Sequence, residues 1–418
     1  MIENLACFFD KLILIYLYFT MITNLKTNIL VLFFTIIILF LIYPKILYEY
    51  FVYQMPFSDQ APQSYFADWT VIISAIKCKL LGNDVFLSNP CDYWGRAHVY
   101  GSIFLFLPFH ENLNNFYNLY LPIFVNLIFL FFIISHINFK KFGQILFYVL
   151  FVFSPATLLA MERFNNDILI FLVLIYVCYL RSNTVKFILI SLISLAKFYP
   201  LITSVAFFFR GINKKNLLFF AIFVSMILFI FFIDRNNLEK VFLNASQYTP
   251  SYKLAFGIQH FANFPSLNIK FSFVHLLMFS LFLMTVLFLL SFLILKNDNF
   301  LSRFSFENYN ERMFFTGVIV CIATYLLQNN FIYREIFIFL TIPFVFKTTN
   351  QSLFAKLLFL ILILKFLLYP ATFYYSMSHN LETLNIIKSI IDNLIMSMML
   401  ATLVVIILRI LKSRQILR

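Results

Sequence analysis

The acids and bases of this chain gather in a few short stretches, and their types suit acid–base chemistry beside an anion. In PQSYFADWTVIISAIKCKLLG, Asp68 stands where apolar residues at mixed three and four spacing begin, which predicts a helix stopped at Gly82. A carboxylate in a first turn lies in the positive field of the helix dipole and stays ionised. At a lipid–water boundary that suits a general base acting on a hydroxyl; it equally suits a residue that only caps its helix. In MERFNND, Glu162, Arg163, Asn165, Asn166 and Asp167 stand at a membrane edge, where charges are costly unless paired or wetted. Asp167 there could cap the next helix, and the whole stretch could be a plain hairpin turn. Lys197, Tyr199 and Pro200 interrupt an apolar run in AKFYP, and Tyr333 and Arg334 open another helix in NNFIYREIF, beside Glu335. Either cation could neutralise a phosphate, arginine through paired hydrogen bonds. The plainer alternatives are a salt bridge for Arg334 and snorkelling to headgroups for Lys197. In SNPCDYWGRAHVYG, Pro90, Gly95 and Gly101 rule out regular structure. Asp92 and Arg96 are expected to pair across its turn; contact of Arg96 or His98 with a phosphate is the alternative.

Other chemistries find no residues to carry them. The chain has no Gly-rich phosphate loop, no HExxH, no GxSxG and no DxD pair. Its histidines are dispersed, and no two have helical metal-ligand spacing. No metal and no cofactor is expected. The five cysteines include no CxxC; Cys78 and Cys91 share one loop and either form a disulfide in an oxidising compartment or remain free thiols.

The elements that must position these groups read as membrane helices. Hydrophobic residues make up 62% of the 418 and charged ones 12%, against roughly 25% charged in a soluble domain. Apolar runs of about 20 residues recur from end to end. The expected fold is all-α: a polytopic transmembrane helical bundle of about 10–12 segments, forming a single integral membrane domain over 1–418. Spans are expected near 28–45, 116–135, 143–160, 166–180, 216–233, 273–295, 313–328, 333–346, 353–369 and 393–411. The run 186–209, broken at AKFYP, is either two short helices that enter and return or one proline-kinked span. Polar loops are expected at 46–115, 234–272 and 370–392, the first being the roof of the active site and including Asp59. Lys and Arg concentrate in the short turns, which places those turns in the cytoplasm and the long loops outside it. That distribution also explains the net charge of +13 without nucleic acid as a partner. No cleavable signal peptide is evident, and the start is open between Met1 and Met21.

Taken together, several of these stretches resemble the multispanning glycosyltransferases of the GT-C class, closest to glycosyltransferase family 87, the polyprenol-phosphate-mannose-dependent mannosyltransferases. The similar residues are Asp68-Trp69, then Leu81-Gly82-Asn83-Asp84-Val85-Phe86, Tyr100-Gly101 leading to Pro108, Glu162 through Asp167, Ala196-Lys197-Phe198-Tyr199-Pro200, and Tyr333-Arg334 with Phe337. They follow the family order from about 60 to 346; the NPCDYWGR loop departs from the pattern. The resemblance implies inverting transfer of a mannose-like hexose from a polyprenyl-phosphate donor to a lipid or glycan acceptor on the extracytoplasmic face of the plasma or inner membrane. It implies Asp68 as catalytic base and Arg163, Lys197 and Arg334 as ligands of the donor phosphate. Glu162, Asn166, Asp167, Tyr199, Tyr333, Asp92 and Arg96 would support them. A membrane transporter or lipid flippase is the competing expectation, and a non-catalytic partner in envelope assembly a third.

Overall fold

A computed structural model describes residues 25–42, 66–180, 182–208, 214–247, 255–263, 267, 271–302, 304–327, 330–370 and 382–415. Asp59, the rest of 43–65 and both proposed starts lie outside the described residues.

The chain is all-α. In order come α1 (Leu25–Ile42), α2 (Ala67–Leu80), 3-10 turns at Ser102–Phe106 and Glu111–Leu113, a π turn at Phe116–Tyr120, α3 (Leu121–Ser135), α4 (Phe142–Val152), α5 (Pro155–Glu162), α6 (Asp167–Tyr179) and α7 (Asn183–Ala196). A 3-10 turn at Tyr199–Thr203 leads to α8 (Ser204–Phe208), α9 (Lys214–Ile233) and α10 (Arg235–Gln247). The two-residue strands β1 (Ala255–Phe256) and β2 (Asn330–Phe331) pair antiparallel. Between them lie a 3-10 turn at Ile258–Asn263, α11 (Phe273–Lys296) and α12 (Tyr309–Leu327). A 3-10 stretch at Ile332–Thr341, α13 (Ile342–Thr348), α14 (Leu353–Pro370) and α15 (Glu382–Gln415) complete the order.

Among the described residues, three helices are long and apolar enough to cross a membrane: Glu111–Ser135, Phe273–Lys296 and Thr383–Lys412. A fourth qualifies if α4 and α5 count as one bent span. This is fewer than the expected ten to twelve because several apolar runs are short or interrupted. Asp167–Tyr179 has 13 residues, about 20 Å of helix against a hydrocarbon core of about 30 Å. The run 186–209 gives way at Lys197, as AKFYP predicts. Two expected loops also contain helix: α10 lies within 234–272, and α15 begins within 370–392.

The chain divides into two compact units. The first comprises 1–140, 158–198 and 218–245; the second 141–157, 199–217 and 246–418. In the first, α2 is buried along most of its length, with Trp69, Ile72, Ala75 and Cys78 all inside. Gly82 follows its end at φ +86°, a left-handed conformation that costs glycine least, so the predicted stop is where the sequence placed it. The Trp69 indole, too large to bury without a partner for its N–H, donates to the Tyr117 carbonyl at 2.9 Å. In the second unit, Phe147, Phe151, Phe339 and Phe366 form an aromatic core, with ring centroids of successive contacts 5.2–5.8 Å apart.

Candidate functional site

The N-terminus of α2 is built against the turn after α5, in the first unit. The first amides of a helix have no partners of their own. Here the Phe66 N–H donates to the Glu162 carbonyl and the Asp68 N–H to the Arg163 carbonyl, both at 3.1 Å. Phe66 and Phe164 both take left-handed backbone, at φ 60° and 42°, which non-glycine residues adopt rarely. Those two bends turn the segments toward each other, and the rings of Phe66 and Trp69 meet Phe164 edge to face at 6.1 and 5.3 Å. The backbone pairing brings Asp68 beside Arg163 across 95 positions of sequence.

The side chains then close a network. Arg163 donates to Asp68 Oδ1 through Nε at 2.8 Å and lies within 2.7 Å of it through Nη2. Asn165 donates to Asp68 Oδ2 at 2.6 Å. The Asn165 carbonyl accepts from Lys197 Nζ at 3.0 Å and from the Asp167 N–H at 3.1 Å, while Lys197 pairs with Asp167 Oδ1 at 2.6 Å. One amide thus joins two ion pairs. Asn165 was visible in the sequence only as one polar residue of MERFNND; nothing in its type announced the bridge. Lys197 also lies over the Tyr100 ring, 5.6 Å from its centre.

Arg96 binds Asp92 through both edges, Nε to Oδ2 and Nη2 to Oδ1 at 3.0 Å each, and its Nη2 reaches the Ala67 carbonyl at 2.9 Å. The expected local pair therefore also braces the residue before Asp68. Burial by itself raises the Asp68 carboxyl; the charge of Arg163, hydrogen bonds from Arg163 and Asn165 and the charge of Arg96 outweigh it and hold the group below the usual carboxylate range. His98 is sealed inside, against the rings of Phe86 and Tyr100, and burial lowers its pKa to about 4. Neutral and enclosed, it is no phosphate ligand.

The cluster keeps polar capacity in reserve. The Glu162 carboxylate is half-buried and makes no hydrogen bond or ion pair among the described residues. Both polar atoms of the buried Asn166 amide lack partners, as does Oδ1 of Asn126, whose Nδ2 donates to the Met161 carbonyl at 3.0 Å. Buried polar groups are normally satisfied, so such atoms mark places for water or a ligand. Cys78 and Cys91 are joined as a disulfide, Cα–Cα 5.5 Å, tying the end of α2 to the NPCDYWGR loop.

The remaining expected site residues belong to the second unit. The Arg334 guanidinium lies over the Tyr199 ring at 5.2 Å, and Tyr199 packs on Phe337 at 5.6 Å. Tyr333 stacks on Phe331 at 5.4 Å. Glu335, next to Arg334 in the sequence, enters a cluster that the sequence reading missed. Lys365 pairs with Glu335 at 2.8 Å and with Asp392; Lys388 pairs with Asp392 at 2.9 Å and with Glu335 at 3.4 Å. The available signals were Lys365 inside the apolar run FLILILKFLLYP and the i,i+4 spacing of Lys388 and Asp392.

Comparison with family models, with characterised proteins and with solved structures gave no match. What is established among the described residues is an all-α chain with three helices long and apolar enough to cross a membrane and a cluster of paired acids and bases within each unit.

Proposed function

We propose that the chain is a polytopic membrane glycosyltransferase of the GT-C kind, moving a mannose-like hexose from a polyprenyl phosphate to an extracytoplasmic lipid or glycan acceptor. The observation that carries the reading is the convergence of Asp68, Arg163, Asn165, Asp167 and Lys197, drawn from three distant stretches, into one network with unpartnered polar atoms beside it. In the reaction an acceptor oxygen attacks the sugar C1 from the face opposite the phosphate. Its proton passes to a carboxylate, and the C1–oxygen bond breaks with its electron pair going to the departing lipid phosphate. Asp68 is the base the resemblance assigns, and Arg163 and Lys197 meet the phosphate charge. The Cys78–Cys91 disulfide supports an oxidising, extracytoplasmic location for the loop.

Each Asp68 oxygen already accepts a hydrogen bond, whereas Glu162 is unengaged, so both carboxylates enter the test. Purified protein is incubated with polyprenyl-phosphate hexoses and glycolipid acceptors, and release of polyprenyl phosphate is measured. Loss of the base in Asp68→Asn is expected to lower transfer by about 10²–10⁴-fold. A larger loss in Glu162→Gln reassigns the base; full turnover in both variants rejects the site.

One observation favours the transporter reading. Four buried charges on Ile332–Thr341, α14 and α15 are of the kind that mark ion and proton pathways in membranes. Substrate uptake into vesicles without product formation would select it.

A further inference from the structure

A cavity of about 440 Å3 lies in the first unit, and none of the residues that line it belongs to the ion-pair network. Its volume falls within the about 300–1,000 Å3 typical of small-molecule sites. The lining is of two kinds. Lys79, Asn83, Asp84, Asp234 and Asn237 are polar, while Leu105, Phe106, Ile230 and Ile233 are apolar. The apolar wall runs outward: Phe106 is 76% exposed and Ile233 66%.

We propose that this cavity binds the sugar head of a glycolipid, with the lipid chain leaving over Phe106 and Ile233. The polar lining decides the head. Asp84 is held by Lys240 at 2.6 Å, and Asp234 accepts from Ser102 and from Asn237, the latter at 2.7 Å. Lys79 lies over the Phe106 ring at 4.5 Å and has no carboxylate partner among the described residues. With Asp84 already neutralised by Lys240, Lys79 and Asp234 leave the lining near neutral, which favours neither a phosphate head nor a cationic one. Acceptors and donors mixed at close range suit a neutral ring of hydroxyls, each of which both donates and accepts.

The cavity also has a link to the ion-pair network. Tyr100 lies under Lys197, the Gly101 N–H donates to the Ala196 carbonyl at 3.0 Å, and Ser102 lines the cavity. The Cα atoms of Tyr100 and Ser102 are at most about 7 Å apart. As the acceptor site the cavity rests on the transferase reading; as a glycolipid-binding site it does not.

The test uses the full chain in lipid nanodiscs with a decyl mannoside carrying a diazirine in its tail. A diazirine-tailed decyl triethylene glycol serves as the control without a sugar. Labelling by the glycoside is expected at least tenfold above the control, on Ser102–Phe106 or on the junction of α9 and α10. Lys79→Ala, at an exposed position that does not hold the fold, and Asn237→Ala are each expected to reduce it at least fivefold. Equal labelling by the two probes, or undiminished labelling in both variants, overturns the proposal. Asp68→Asn is expected to label like the unaltered protein. Absent transfer with selective labelling therefore removes only the transferase reading, and transfer without selective labelling removes only the cavity.

Discussion

The network around Asp68 and the tetrad of Glu335, Lys365, Lys388 and Asp392 use the same side-chain chemistry in opposite settings. In the tetrad each lysine meets both acids, charges balance two against two, and no side chain is more than 3% exposed. Around Asp68 the side chains of Arg163 and Lys197 are 16% and 11% exposed, amides carry part of the bonding, and Glu162 and Asn166 stand by unengaged. Among the described residues this is a closed, neutral square that fastens Ile332–Thr341 to α14 and α15. An open network with spare acceptors and donors can exchange a protein partner for a substrate at small cost. Ion pairing alone therefore does not mark a reactive site; the surplus of unpaired polar atoms around it does.

The sharpest way to break that contrast is to remove one corner of the tetrad. Asp392→Ala leaves buried positive charge uncompensated and is expected to cost about 3–5 kcal/mol of stability. It should be read as the thermal midpoint in detergent. Replacing Lys365 by Met together with Asp392 by Leu removes one charge of each sign, and most of the loss should return. If the single variant is nearly neutral, water reaches the tetrad and it is not the closed element described. Asp68→Asn keeps shape but offers one acceptor oxygen to two donors, Arg163 and Asn165, so its stability should fall by about 1–3 kcal/mol while transfer collapses.

The sequence disclosed local features far better than partnerships. Helix α2 was legible from its apolar spacing, and its end from Gly82, because both depend on neighbours along the chain. The pairing of Asp92 with Arg96 and the break at Lys197 were legible for the same reason. That Asp68 meets Arg163 was not, since the contact depends on left-handed turns at Phe66 and Phe164, which no residue type there predicts. The tetrad was hidden by hydropathy itself. The expected loop 370–392 holds Lys388 and Asp392, and burying them in pairs lets α15 run from Glu382 to Gln415. Three helices among the described residues meet a membrane's length in full, because apolar spacing fixes the length of a hydrophobic stretch, not whether a turn divides it.

A milder probe compares His98, in the wall behind Tyr100, with Asp68 by pH. Folded His98 stays neutral to about pH 4, whereas an ordinary histidine protonates near 6.5. Below 6.5 the unfolded chain therefore binds a proton that the fold refuses, and stability falls by about 1.4 kcal/mol per pH unit, reaching about 3 kcal/mol near pH 4. Asp68, with its pKa below 3.8, contributes above that value and loses its contribution only as pH falls further, so it is silent in this window. The measurement is the difference in slope between the unaltered protein and His98→Gln between pH 4 and 6.5, in which other titrating groups cancel. Identical slopes would mean that His98 is hydrated and the wall behind Tyr100 is open.

The smallest expected effect tests how the network is joined to the cavity. A Cβ on Gly101 would lie 1.6 Å from the Leu195 carbonyl oxygen and 2.7 Å from its carbon, so Gly101→Ala must push the segment off α7. Overpacking of this kind costs about 1–3 kcal/mol, and it breaks the bond to Ala196 that keeps Tyr100 under Lys197. Gly82→Ala is the control: its cost is left-handed strain of about 1 kcal/mol, with nothing within 4 Å of the added carbon. If close approach at Gly101 aligns the two sites, its alanine variant should lose transfer and glycoside labelling together, beyond what its stability explains. The Gly82 variant should lose neither. Equal behaviour of the two would show that the segment from Tyr100 to Ser102 bends freely, and that the open network and the cavity beside it work without a fixed spacing.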